Sequence, residues 1–457
     1  MDSDHTMDAI ETIIDYALAA RTNPPPARVL KLSKDFIFDT LSLMVVGARA
    51  PGCAIVHDQL VAWGGAPEAT VLSSGKRLPA PAAALINSMM THAFDFDDCH
   101  ETADIHGYAV ILPAALAIAE RKGGVSGRDF LVAATVGVEI AYRMGEAIEK
   151  YRGWHPTATC GVFGAAIASA MISGFDRTTL HNAVGIAYSL ASGNWQAILD
   201  SSLTKRMQPG LAARAAVEAV TYAAAGITGA KNVLEGPFGF YPLYESGEYD
   251  RDALMKDLGS RFEIERSSIK PYPCCRFCHA VPEATLVLAE QHSIVPDQIK
   301  HITAKVPQGV KDLVGAPYQP GNIPEVSAQF SIPFCIATTL THRRLGLREF
   351  QRPFVTDPAI LDLAGKVDVV VSGDPDRWGV QEVVMELKDG RTISHGISVM
   401  KGHPDHPLTK DELAAKSRDA LTFANFSPAI ADRLTVCLNT IESSKDAAAS
   451  ILACIKG

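Results

Sequence analysis

The segment Thr91–Glu120, THAFDFDDCHETADIHGYAVILPAALAIAE, sets a polar loop between two apolar runs. Asp95, Asp97, Asp98, Cys99, His100, Glu101, Asp104 and His106 all fall inside it. The run before, Pro79–Met90, and the run after, Ala109–Glu120, repeat apolar residues at helical spacing. The part between has no period of its own and reads as a loop. Loops gripped by rigid elements are where proteins commonly hold reacting groups. The plain alternative is a solvated acidic connector. Two histidines and a cysteine among the acids, between flanks that read as buried, favour the functional reading.

Helical texture spreads outward from this point. Toward the N-terminus the pattern predicts helices over 7–22, stopped by Asn23-Pro24-Pro25-Pro26, over Ala27–Val46 and over 53–63, with a short strand at Ala69–Leu72. Toward the C-terminus, Ser126 caps a helix reaching about Lys150, and further helices are expected at 159–173, 177–191 and 208–226. These are rich in Ala and Gly, which lets helix axes approach closely. Near Phe262 the texture changes. FEIERSSIKPYP, IKHITAKVP, KVDVVVSG, VQEVVMEL and RTISHGISV alternate and are β-branched like strands, with helices between them at 280–292 and 326–341. After Pro407 helices return at 409–421, 427–436 and 440–455, with Thr409 as N-cap. The expected fold is mainly α with an α+β insertion: a helical domain over 1–265, an α+β domain over 266–398, and the rest of the helical domain over 399–457.

The totals narrow the function. The chain has 457 residues, 47% hydrophobic and 20% charged, enough for a large core. A net charge of -9 and a pI near 5.9 argue against a nucleic-acid partner. The acidic start lacks a signal peptide's basic, apolar pattern, and the Ala-rich helices are interrupted by Gly, Ser or charges. The expectation is a soluble, cytoplasmic protein without a membrane partner. Nine scattered cysteines fit reduced thiols better than a disulfide framework.

Three polar stations share a layout. His106 precedes the helix starting near Ala109, His155 precedes Pro156-Thr157, and Lys205-Arg206 precede Pro209-Gly210, where proline suits a first helical position. Helix starts carry positive potential and free N–H groups. Three such ends with His, His and Lys-Arg suit a small polycarboxylate, and favour neutral imidazoles able to act as bases. Each alone also reads as an ordinary residue near a cap. A fourth station, PYPCCRFCHA, contains Cys275-Arg276-Phe277-Cys278-His279, a literal C-x-x-C-H. Attached haem would want an exported chain, structural zinc a second pair, and an iron–sulfur cluster three well-placed thiolates. A tight strand-to-helix turn aiming Arg276 at a carboxylate and His279 at the substrate is the better reading. A chemical rival remains in Asp95, Asp97, Asp98, His100 and His106, which could hold a divalent metal for hydrolysis. No HExxH, phosphate-binding P-loop, GxSxG or dinucleotide fingerprint supports another enzyme class. A non-catalytic polycarboxylate-binding protein is the remaining alternative.

Read in order, HAFDFDD, VILPAALAIAE, GWHPTATCGVFGAA, TKRMQPGLAARAA, KPYPCCRFCHA and AQFSIPFCIA resemble the MmgE/PrpD family over nearly the whole chain. The resemblance implies a large helical domain with a smaller α+β lid, usually a homodimer, using no metal or organic cofactor. The family includes 2-methylcitrate dehydratase, cis-aconitate decarboxylase and iminodisuccinate epimerase, which move protons at carbon next to a carboxylate. It places active-site positions on Asp95, His106, His155, Lys205 and His279.

This chain departs from the dehydratase and decarboxylase members. They usually read D-D-T where it has Asp98-Cys99, H-P-S where it has His106-Gly107-Tyr108, and His where it has Gln208. A dehydratase needs an acid for the departing hydroxyl; an epimerase does not. The departures therefore tilt the expectation toward an epimerase of iminodisuccinate type, with a dehydratase- or decarboxylase-type lyase as the alternative. In this reading Lys205, Arg206 and Arg276 hold carboxylates, and Cys99 and Gln208 line the substrate site. His155 and His279 exchange the proton, with Lys205 as an alternative base. Asp95 orients a histidine, and His106 contacts the substrate or its enolate.

Overall fold

In the computed structural model, which describes residues 7–373 and 379–456, the Gly107–Lys122 helix is buried on every side from Gly107 to Ala119. A helix that is apolar all round belongs at the centre of a bundle. Ala80–His92, Gly127–Glu146, Gly161–Ser173 and Thr204–Ala224 surround it. Small residues set their spacing. A Cβ on Gly164 would lie 2.3 Å from the Gly137 carbonyl oxygen, so these two helices cross backbone against backbone. The stretch Pro156–Ser173 is long and apolar enough to cross a membrane, yet 94% of it is buried within the protein. Its apolar character serves the core.

Two apolar clusters divide the chain. One draws on residues between Ala9 and Ile269, with Leu347 and the segment Leu413–Cys454; the other draws on Cys274 to Leu387. The fold is thus mainly α with an α+β part. In that part, a four-stranded sheet runs in the order Val367–Val371, Ile299–Val306, Gln381–Leu387, Thr392–Ile397. The first pair is parallel and the other two are antiparallel. Alternation is strict in Gln381–Leu387, where Gln381, Val383, Met385 and Leu387 are buried. Helices Ala280–Gln291 and Ile332–His342 pack against each other and against this sheet. The C-terminal helices Lys410–Phe423 and Ala429–Asn439 return to the bundle beside Ala27–Val46. Thr409 and Glu412 form a reciprocal capping box at the first of them.

Most expected helices appear within a few residues of their predicted bounds, and Ala27–Val46 has the bounds predicted. Three expectations change. FEIERSSIKPYP is not a strand of the sheet: Glu263–Arg266 is a 3-10 turn, and only Ser267–Ser268 is extended, pairing with Cys99–His100. Its apolar Phe262 and Ile264 are spent on the helical core instead. The loop after Asp95 therefore contains a two-residue strand, and it is buried rather than solvated. The third change is at Pro209, which lies inside the Thr204–Ala224 helix and not at its start. Lys205 and Arg206 accordingly belong to its first turn.

The Gly137–Gly164 crossing yields a test. Gly164→Val should lower stability by about 2 kcal/mol or more in urea unfolding, because neither backbone can yield. Gly309→Ala, at an exposed helical position with nothing within 4 Å of a new Cβ, should be neutral or mildly stabilising.

Candidate active site

Asp95 follows the Ala80–His92 helix with φ 51°, a left-handed conformation uncommon outside glycine. Lys270 Nζ spans this turn, donating to both the Asp95 carbonyl and Asp95 Oδ2 at 3.0 Å. Lys205 Nζ donates to the other carboxylate oxygen and sits 5.5 Å from the centre of the Phe330 ring. Burial alone would push the Asp95 carboxyl up, but the two ammonium groups hold it well below the usual range. Burial likewise opposes the charge on Lys270, and Asp95 more than offsets it, so the ammonium is retained. These three groups line a cavity with Cys99, His106, His155 and Arg276, between the helical bundle and the α+β part.

His155 caps the short Pro156–Thr159 helix, and its state can be read from its neighbours. Its Nδ1 lies 2.8 Å from Gln208 Oε1. That oxygen also accepts the Asn194 N–H at 3.1 Å, while Gln208 Nε2 donates to the Asn194 carbonyl at 2.9 Å. The amide orientation is thus fixed, Nδ1 of His155 must carry the proton, and Nε2 keeps its lone pair. Burial, then the nearby Lys205 ammonium, push the His155 pKa well below 6.5. A neutral imidazole with a fixed tautomer is a candidate base.

His106 caps the central helix, and its N–H donates to Thr157 Oγ1 at 3.1 Å, tying two stations together. Its Nδ1 lies 3.3 Å from Asp97 Oδ2, which also takes His92 Nδ1 at 2.7 Å. Burial lowers the His92 pKa to about 4, so a neutral His92 donates to a carboxylate that its neighbours hold in the charged form. Asp97, not Asp95, orients the histidines. Both lie in the same loop, and only the left-handed turn at Asp95 decides which faces the lysines.

The proposed metal ligands separate. Asp95 serves the lysines. Asp98 accepts from Tyr142 Oη at 2.6 Å and from the Tyr108 N–H at 3.2 Å, supporting the start of the central helix. Burial and the Asp97 charge raise its pKa to about 7. His100 is engaged by Glu263 at 3.2 Å and by the Ala103 N–H at 3.1 Å. Only Asp97 and His106 remain together, joined by His92, with ligand-capable atoms within 4.8 Å of one another.

Four other sequence assignments are corrected or refined. Arg206 is buried, reaching the Pro51 carbonyl and Gln329 Oε1 at 3.2 and 3.3 Å, so it joins segments instead of facing the cavity. Arg276 does line the cavity, but all five of its N–H donors are engaged. They go to Glu101 Oε1 twice, Ser268 Oγ, the Lys401 carbonyl and His279 Nδ1. It is a clasp across the junction, not an open carboxylate clamp. His279 is fully buried, accepting from Arg276 at Nδ1 and donating from Nε2 to the Cys274 carbonyl at 3.1 Å, which leaves no lone pair for a proton. Cys99 lines the cavity, but burial pushes its thiol well up, so it stays protonated. Lys270 and His92 are the residues that sequence reasoning missed. Both sit in blocks already singled out, KPYP and HAFDFDD, but neither stands at a predicted helix start. All nine cysteines are free thiols.

Comparison with known proteins identifies the family. The MmgE/PrpD N-terminal domain model matches residues 11–252 and the C-terminal domain model matches residues 272–434. A cis-aconitate decarboxylase-like protein, oryM, of Aspergillus oryzae (strain ATCC 42149 / RIB 40) is 28% identical over 456 residues, covering 94% of each chain. Cis-aconitate decarboxylase of Aspergillus terreus is 27% identical over 442 residues, 91% of this chain and 90% of that one. The Homo sapiens cis-aconitate decarboxylase is 27% identical over 409 residues, 86% of this chain and 83% of its own. With both domain models matched in order along most of its length, the chain belongs to the MmgE/PrpD family.

Proposed function

We propose that the protein is a lyase of the cis-aconitate decarboxylase type, acting on a small unsaturated polycarboxylate. The observation that carries this reading is the pair of ammonium groups, Lys205 and Lys270, meeting at Asp95 on the wall of a cavity that also holds His106 and His155. The relatives described above are named for the same chemistry. In such a reaction the electrons of the C–CO2 bond form a new double bond. The old alkene shifts, and its far carbon takes a proton. Charge that builds on a remaining carboxylate is stabilised by the ammonium groups. His106, backed by Asp97, is the proton carrier to the far carbon, and neutral His155, with the lone pair of Nε2 unshared, orients the substrate.

The relatives outweigh the tilt toward epimerisation, and the physical basis of that tilt weakens as well. Departure of carbon dioxide needs no acid, unlike departure of hydroxide, so the changes at Cys99 and Gln208 cost a decarboxylase little. Gln208 has work of its own, holding His155.

Incubation with cis-aconitate should release carbon dioxide in step with a new terminal alkene, seen by proton NMR in deuterated water. Deuterium exchange without carbon dioxide would instead indicate an epimerase. His155→Ala should lower kcat by about 100-fold or more. A second outcome concerns pH. A base whose pKa is depressed stays active as pH falls through 6.5 and loses activity only below it. The His155-dependent acid limb of kcat/KM should therefore lie under pH 6.5. A limb at or above 6.5 would remove the neutral imidazole of His155 from this role. Third, Lys270→Met should reduce kcat/KM by about 100-fold, roughly the loss of one strong stabilising group. Circular dichroism should show the helical fold retained.

A further inference from the structure

The inner cavity is small. Its free space is about 40 Å³, too little for a polycarboxylate that also carries a long substituent to lie wholly inside. An outer chamber of about 410 Å³ adjoins it, and Asp104, Trp195, Phe277 and Leu313 line both. A long substrate with its reacting end inside would extend along this shared wall.

The two spaces differ in chemistry. The inner one carries Lys205, Lys270 and the two histidines as well as Asp95 and Asp104, with Arg276 engaged in its wall. Among the described residues, no Lys, Arg or His lines the outer one; its ionisable groups are Asp104, Glu149, Asp312 and Tyr151. Its remaining surface is largely apolar, with Ile148, Leu199 and Leu313 beside the rings of Tyr151 and Trp195. Those rings meet edge to face at 5.1 Å, and Trp195 also stands 6.0 Å from His155. A carboxylate in the outer chamber would face Glu149 and Asp312, with no Lys, Arg or His in the lining to pair with, an unfavourable position. An apolar group there would lose its water against aromatic and aliphatic side chains, which is favourable.

We propose that the substrate is a polycarboxylate whose carboxylates are grouped at one end, and whose other end is an uncharged alkyl or aryl chain seated in the outer chamber. This rests on the reading of the inner cavity as the polycarboxylate site. It adds that an unsubstituted triacid such as cis-aconitate reaches the inner site but leaves the outer chamber unfilled.

Calorimetric binding of a 2-alkylmaleate series, from methyl to octyl, to the full chain tests the assignment without requiring turnover. Affinity should rise by about two- to fourfold per buried methylene until the chamber is filled. An octyl-length chain ending in a carboxylate should lose that gain. Leu199→Glu, at an exposed position lining only the outer chamber, should remove most of the dependence on length. A flat series overturns the proposal, and is also the result expected if another copy of the chain fills the chamber. Equal binding of the carboxylate-ended ligand, or an unchanged slope in Leu199→Glu, overturns it as well. If no member binds, both this proposal and the polycarboxylate reading fall. Length-dependent binding with no carbon dioxide released from cis-aconitate or its alkyl derivatives leaves the chamber standing and removes the lyase.

Discussion

One buried carboxylate with two ammonium groups on it governs the rest of this architecture. Removing three charges from water is expensive, and the attraction among them returns that cost only if their geometry is held. Asp95 comes from the end of one helix, Lys205 from the first turn of another, and Lys270 from the link into the α+β part. Each element brings a charge that would be unfavourable without the others. The net charge left over is positive, which is the sign an anionic ligand needs.

The surrounding polar groups keep this centre in place. Gln208 fixes the tautomer of His155, and Asp97 bridges His92 and His106. Arg276 joins Glu101 and Ser268 to the Lys401 carbonyl and His279. Glu101 belongs to the buried loop, and Arg276 follows the link into the α+β part. The clasp thus fixes the cavity wall from both sides of the junction. A positively charged side chain lining a cavity need not be there for a ligand; the count of its satisfied donors decides.

Much of this was legible before any coordinates. Periodicity located the long helices and the four strands of the sheet, because an amphipathic or wholly buried element writes its burial into the order of residues. The loop beginning at Asp95 and the blocks around His155 and Lys205 were recognisable as one site. What residue order could not convey was partnership. Arg206, Arg276 and His279 have the right chemistry for a polycarboxylate, yet their hydrogen bonds are spent on Gln329, Glu101 and Cys274. Asp95 and Asp97 are near neighbours, and their roles separate only through a backbone turn. Ser267–Ser268 read as part of a longer strand because β-branching and alternation do not reveal which neighbour a segment will pair with.

The C-terminal return of the chain has a consequence for biosynthesis. Lys416 reaches across to Asp39 Oδ2 and to the Phe96 carbonyl, both at 2.8 Å, and stands over the Phe96 ring. Phe96 lies between the two aspartates that organise the cavity, 320 positions upstream of this lysine. A nascent chain emerging from the ribosome therefore carries the reactive loop long before it carries the side chain that secures it. During that interval the loop's buried acids lack part of their support, and the bundle waits for its last helices to dock. Competence arrives only after the segment around Lys416 has been made.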